Sequence, residues 1–307
     1  MLTAASAGAS APSSPSPAPS SWPATVHASV PDSPNQLTET GQPATLATPR
    51  QTCEVTRVLS LGGSVTEIIY ALGMQAQLIG ADLSSVYPEQ AQKLASVGYY
   101  RALPVEGILR LKPNLVIASE QAGPARVLDQ LRALGLRVHQ ISDQPSLDSL
   151  HQRIGLIADL LCVADKGRAL RKSLDLAMEA ALQIPVKRQS VMVLVIRAGK
   201  LLGAGSGTHA AKILELSGVD NALTDQTGYR QVSAEIVSAR MPSAMIVTRL
   251  SVEAMGGLEA IRQHPLLAHT PASIDGRLIE LDDLMAQGMG LRLPQAIERI
   301  RTGLADR

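Results

Sequence analysis

Phenylalanine is absent from all 307 residues, and one Trp with five Tyr makes up the whole aromatic content. A protein that binds RNA or single-stranded DNA stacks bases on aromatic faces, so this composition argues against one. An excess of either charge is missing too. Lys plus Arg number 28 and Asp plus Glu 27, a formal net charge of +1, which supports neither a broad basic surface for nucleic acid nor an acidic, disordered activator. Cysteine is limited to Cys53 and Cys162, too few for a zinc ribbon or a disulfide-dense scaffold. The two could pair in an exported protein, and their separation in sequence leaves that open. Long apolar runs are lacking as well. Val191–Ile196 is representative, far short of the roughly 18 residues that cross a bilayer. No GxxxxGK[ST], GxSxG, HExxH or CxxC motif occurs, and the six histidines are scattered. Nothing therefore marks a P-loop ATPase, a hydrolase or a zinc site.

Residues 1–50 hold 10 Ala, 9 Ser, 9 Pro and 6 Thr but only three charged residues, Asp32, Glu39 and Arg50. Such a segment has too little apolar area to offset the entropy of ordering it, and residues 1–52 read as a disordered leader. No positive stretch followed by an apolar one comes after Met1. Leu2–Ala11 (LTAASAGASA) is nevertheless similar to the small-residue tail of a signal peptide. The expectation is an upstream start or a trimmed leader, with a plain cytosolic protein that has a floppy start as the equal alternative from this stretch alone.

From Val55 the texture changes. Short β-rich runs at 57–61, 78–81, 115–118 and 137–141 alternate with helical patterns and Gly or Pro punctuation. Alternation of this kind predicts a parallel sheet with helices on both faces. The strand signals then stop for about forty residues, through helical patterns at 147–161 and 166–182. They return at 191–196, 244–248 and 277–281 among helices at 208–216, 233–239, 258–263 and 294–304. The fold class expected is α/β, with an N-terminal lobe over 53–145, a helical bridge over 146–186 and a C-terminal lobe over 187–307. A helical strut resists bending, and a fixed cleft between two lobes is where small ligands usually bind. Gly203-Ala204-Gly205-Ser206-Gly207 reads as a turn before a helix. Its GxGxG spacing is not the GxGxxG of dinucleotide sites.

The segment richest in chemistry is Val97-Gly98-Tyr99-Tyr100-Arg101, two adjacent tyrosines followed by an arginine in a loop. A phenol with a pKa of about 10 is a poor ligand until a nearby cation favours the phenolate. The phenolate is a hard donor suited to ferric iron, and Tyr is an axial ligand of haem. Packing of both rings on the lobe edge is the plain alternative.

The segments RVLSLGGSVTEIIYALG, VGYYRALPVEGILRLKPNLVIASEQAGP and GSGTHAAKILELSGVDNAL closely resemble the periplasmic haem-binding proteins of bacterial haem-uptake ABC transporters. The resemblance spans about residues 55–305. It implies the class III periplasmic binding protein fold shared with vitamin B12- and siderophore-binding proteins: two Rossmann-like lobes joined by a long backbone helix, here about 166–182. It also implies that the chain is not an enzyme. It would be a monomeric periplasmic carrier that passes haem (ferric protoporphyrin IX) to an inner-membrane permease with its ATPase, downstream of an outer-membrane receptor.

The family's axial tyrosine falls on Tyr99, and the basic position beside it on Arg101. Arg249, in IVTRLSVEAMGG, is the match for an arginine that some relatives bring from the opposite wall. It reads equally as a solvated strand-end residue. His209 departs from the family's GTAAD run. A contact to the porphyrin, a propionate or a second haem is weighed for it against an exposed helix-start histidine. Glu106 and Glu235 occupy matching places in the two lobes, where the fold presents acidic residues to permease arginines, although helix capping alone also explains them. The rivals are a cobalamin or ferric-siderophore binder of the same fold and, from another class, a Rossmann-like enzyme acting on a nucleotide-sugar.

Overall fold

The computed structural model describes residues 55–305; the leader expected over 1–52 lies outside them, as does Cys53. In chain order the first part contains β1 (Val58–Leu61), α1 (Gly63–Ala71), β2 (Leu78–Ala81), α2 (Val105–Leu111), β3 (Leu115–Ser119), α3 (Ala125–Ala133) and β4 (Arg137–Ile141). Two long helices follow, α4 (Leu147–Leu160) and α5 (Ala164–Gln183). Next come β5 (Ser190–Arg197), β6 (Lys200–Ala204), α6 (His209–Leu216), β7 (Asp220–Asn221), β8 (Tyr229–Gln231), α7 (Ala234–Arg240) and β9 (Ala244–Thr248). The chain closes with α8 (Arg249–Met255), α9 (Leu258–Arg262), α10 (Pro271–Ile274), β10 (Leu278–Leu281), α11 (Asp283–Gln287) and α12 (Leu293–Leu304).

The first four strands form one sheet, ordered β2-β1-β3-β4 and parallel throughout. The second sheet is ordered β10-β9-β5-β6-β8, with β7 also on β5. Its β10, β9, β5 and β7 pairings are parallel, but β6 runs antiparallel to both β5 and β8. The sequence reading lacked β6, β7 and β8 because Gly203 and Gly205 look like a turn. Both are glycines of close approach instead. A Cβ on Gly203 would stand 2.2 Å from a Leu223 methyl, and one on Gly205 would stand 2.2 Å from the Gln226 carbonyl oxygen.

Alternation along each strand sorts residues between the two faces of its sheet. In β1 and β3, Val58, Leu115 and Ile117 join the large central core, while Leu59, Leu61, Val116 and Ala118 join a core on the far side with α3. In β5 and β9, Val191, Val193 and Ile246 face that same central core, while Met192, Leu194, Met245 and Val247 face outward under α7 and α9. The central core is completed by Leu150, Ile154 and Ile157 of α4, Leu174 and Met178 of α5, and Ile297 and Ile300 of α12. The two sheets thus share one continuous interior. α5, 20 residues long and so about 30 Å from end to end, packs against α4 and α12. No described helix is long and apolar enough to cross a membrane. Cys162, just after α4, is disulfide-bonded.

Two arginines, Arg153 buried and Arg292 largely so, tie the sheets together. Arg153 of α4 is 1% exposed and pairs with Asp143 at 2.7 Å. It also donates to Ser64 Oγ and the Ser142 carbonyl, and across to the Met289 carbonyl beyond α11. Arg292 pairs with Glu67 of α1 at 2.7 Å and Asp282 at 3.0 Å, and its guanidinium lies 4.0 Å over the Tyr87 ring. Removing one member of such a pair leaves a charge buried alone. Arg153→Met should therefore lower unfolding stability in urea by about 3 kcal/mol or more. A loss under about 1 kcal/mol would show that Asp143 regains water in the variant.

Candidate functional site

A cleft of about 700 Å³ opens where the carboxyl ends of the parallel strands from both sheets meet, the usual ligand position in open α/β sheets. Its size falls in the ordinary range for small-molecule sites. One wall comes from the segments after β2, β3 and β4 (Leu83, Val86, Tyr99–Arg101, Glu120, Gln121, Asp143). The other comes from the end of β5, the start of α6, Tyr229, Leu250 and α11. A neighbouring hollow of about 590 Å³ lies around the start of α6. Its charged groups already pair with each other, Arg188 with Asp220 and Lys212 with Glu215.

The lip of the first wall is pinned by backbone bonds and one buried carboxylate. Asp82, 4% exposed, accepts from the Gly62 and Ser84 amides and from Ser85 Oγ. That anchor leaves Leu83 and Val86 of the same loop in the cleft at 62% and 41% exposure. The tyrosine loop is tied on both sides. The Val97 amide donates to the Ala81 carbonyl and the Leu83 amide to Gly98, while the Gly123 amide donates to Tyr100. Gly98 takes φ +86°, a conformation that side-chain-bearing residues rarely adopt.

The three tyrosines of the cleft differ in what their oxygens can do. Tyr99 is 46% exposed, and among the described residues its hydroxyl makes no hydrogen bond. Its ring stands edge-on to Tyr100 at 5.0 Å. Tyr100 is half-buried and accepts from Arg101 Nε at 3.0 Å. Burial pushes its phenol up, partly countered by that guanidinium. The Tyr229 hydroxyl is buried without a hydrogen-bond partner among the described residues, and burial pushes its pKa to about 12 despite Arg197 above the ring. Tyr229 therefore stays neutral at ordinary pH. Because the fold favours its uncharged form, this contribution to stability is complete below about pH 10 and lost as pH rises through about 12. In an ultraviolet titration Tyr229→Phe should remove the last phenolate step. Persistence of that step would place it on another tyrosine.

The structure brings Tyr99, Arg101 and His209 to one cleft. Arg101 reaches Tyr100 and Gln121 rather than Tyr99. His209, first residue of α6, is not an exposed helix start. Its side chain is 13% exposed, and its Nε2–H donates 2.8 Å across the cleft floor to the Asp143 carbonyl, beside the Asp143–Arg153 pair. Arg249 does not line the cleft. It opens α8 and its guanidinium lies 3.4 Å from Glu280. The guanidinium on this wall is Arg197 at the end of β5, which the sequence reading missed. A charged residue closing an otherwise apolar strand was its only signal. Leu250, 64% exposed, supplies the apolar lip opposite Leu83.

Glu106 and Glu235 are exposed, in the first turns of α2 and α7, and neither lines the cleft. The two helices match in detail. Each has seven residues, ends on a left-handed residue (Lys112, Met241), and is followed by Pro and one residue before β3 or β9.

The family model for periplasmic binding proteins matches residues 58–284. The periplasmic heme-binding protein RhuT from Roseiflexus sp. RS-1 superposes with a TM-score of 0.77 at 36% identity, covering 81% of this chain and 97% of RhuT. An uncharacterized ABC transporter substrate-binding lipoprotein of Bacillus subtilis, YvrC, is 26% identical over 80% of this chain and 79% of its own length. The vitamin B12-binding protein of Yersinia pestis is 30% identical over 66% of this chain and 72% of its own length.

Proposed function

The chain belongs to the periplasmic binding protein family, and we propose that it captures haem in this cleft through a Tyr99–iron bond and delivers it to an ABC permease in the inner membrane. The observation that carries the proposal is Tyr99 itself, lining the cleft at 46% exposure with a hydroxyl free of hydrogen bonds among the described residues. Apolar side chains at the lip, Leu83, Val86 and Leu250, line the same cleft. A hard anionic oxygen suits ferric iron, and exposed apolar surface at a cleft suits a flat macrocycle. Haem here is the cargo.

In this reading each residue has its own task. Tyr99 loses its proton as iron binds, with Arg101 two residues along bringing positive charge that favours the anion. Tyr100 and Tyr229 keep their protons and form walls. His209 is held by Asp143 and steadies the floor instead of binding iron. Arg249 is held by Glu280 outside the cleft. Glu106 and Glu235, on matched helices away from the cleft, serve as the acidic contacts for the permease. The Arg153 and Arg292 bridges keep the lobes in place, so the cargo meets a cleft already formed.

The cobalamin reading draws on the vitamin B12-binding relatives, and calorimetry separates the two. Hemin added to the full chain should bind stoichiometrically, with no heat of binding from cyanocobalamin at the same concentration. Binding of cyanocobalamin alone would overturn the haem proposal.

A further inference from the structure

The two walls of the cleft come from different sheets, and among the described residues that line it they are joined by the hydrogen bond from His209 Nε2 to the Asp143 carbonyl, 2.8 Å. A carbonyl oxygen only accepts, so this bond places a proton on Nε2. Both ends are held independently. The Asp143 carboxylate pairs with Arg153 at 2.7 Å and accepts from Ser119 Oγ, at the end of β3, at 3.4 Å. On the other side Thr208 caps α6, its Oγ1 accepting from the Ala211 amide at 3.0 Å and donating to the Gly205 carbonyl at 2.8 Å. The side chains of His209 and Asp143 are 13% and 16% exposed, so water competes little for the bond. Its place is informative. Thr208 and Pro145, one and two residues from the bonded pair, line both the cleft and the hollow beside α6. The other bridges between the sheets, Arg153 to the Met289 carbonyl and Arg292 to Glu67, involve no cleft-lining residue.

We propose that His209 is a brace inside the cleft, a positioning residue that sets the separation of the two walls and closes the floor along the edge shared with the neighbouring hollow. Arg153 and Arg292 hold the lobes from behind, and His209 holds them where the cargo lies. A cleft braced before the cargo arrives saves the cost of ordering its walls on binding. The brace itself is independent of the cargo's identity; its effect on hemin rests on the haem reading.

The test measures the distance between the walls in the full chain without cargo, by electron–electron double resonance. Spin labels are carried by Arg126→Cys on α3 and Glu253→Cys on α8, both exposed and outside the cleft. The same labels are placed on His209→Ala, His209→Phe and His209→Gln. Phe fills the imidazole's space without a donor, and Gln keeps an N–H donor. The distance distribution should be narrow in the wild type, broader in Ala and Phe, and narrow again in Gln. Hemin affinity should fall about three- to tenfold in Ala and Phe, the scale of one hydrogen bond, and by less than about twofold in Gln. The high-spin ferric spectrum should be the same in all four. Equal distributions in wild type, Ala and Phe overturn the brace, as does a Gln distribution as broad as that of Ala. A spectrum altered by loss of the imidazole also overturns it, by placing His209 on the iron. If the wild type takes up no hemin, the haem reading fails and the distances alone decide the brace.

Discussion

Tyr99→Phe should reduce hemin affinity by about two orders of magnitude or more, because it removes the iron's own ligand. Losing a group that merely supports a metal ligand already costs 10- to 100-fold. The substitution deletes a hydroxyl that no described residue holds, and the ring can keep its edge-on contact with Tyr100. The melting temperature should therefore stay close to wild type while binding is lost. Tyr100→Phe is the matched control. Its hydroxyl is committed to Arg101, so the hemin spectrum of that variant should remain normal. If Tyr100→Phe loses the spectrum and Tyr99→Phe keeps it, the iron ligand is the inner tyrosine and Arg101 tunes it directly.

Replacing Glu106 and Glu235 together with Ala should stop delivery without touching capture. Both carboxylates are exposed, neither forms an ion pair among the described residues, and neither lines the cleft. An interfacial charge pair broken on one side loses about 2–5 kcal/mol, and two such losses remove productive docking. With the matching permease and its ATPase in vesicles, haem uptake driven by the double variant should fall to background. The hemin titration of the same variant should match the wild type within about twofold. Uptake at the wild-type rate would show that these residues cap their helices and nothing more. Weakened hemin binding would place them in the pocket.

How legible the molecule was follows from where its information lies. The parallel first sheet could be read from apolar runs at 58–61, 78–81 and 115–119, since burial on both faces leaves near-continuous hydrophobic stretches. The antiparallel β6 and β8 could not. Lys200–Ala204 carries two leucines among glycine and lysine, and its Gly203 and the Gly205 that follows answer to Leu223 and Gln226, residues some twenty positions away. In the site, the Tyr99-Tyr100-Arg101 cluster was visible because adjacent tyrosines stand out in a chain without phenylalanine. Arg197, Tyr229 and Gln287 converge from β5, β8 and α11, and nothing local to any one of them announces the others. Arg249 shows the reverse case. Its sequence neighbourhood suited a cleft arginine, but Glu280 on β10 lies beside β9 and holds the guanidinium. The exposed-helix-start reading of His209 gives way for the same reason, because its partner Asp143 follows β4 of the other sheet.

The most direct test of haem capture through Tyr99 is an optical and electron paramagnetic resonance titration of the full chain with hemin, read for the state of the iron. One phenolate oxygen as the axial ligand predicts a high-spin ferric species with a tyrosinate charge-transfer band that saturates as the cleft fills and is absent in Tyr99→Phe. A low-spin spectrum, or an identical high-spin band in Tyr99→Phe, would contradict it and move the iron to another ligand.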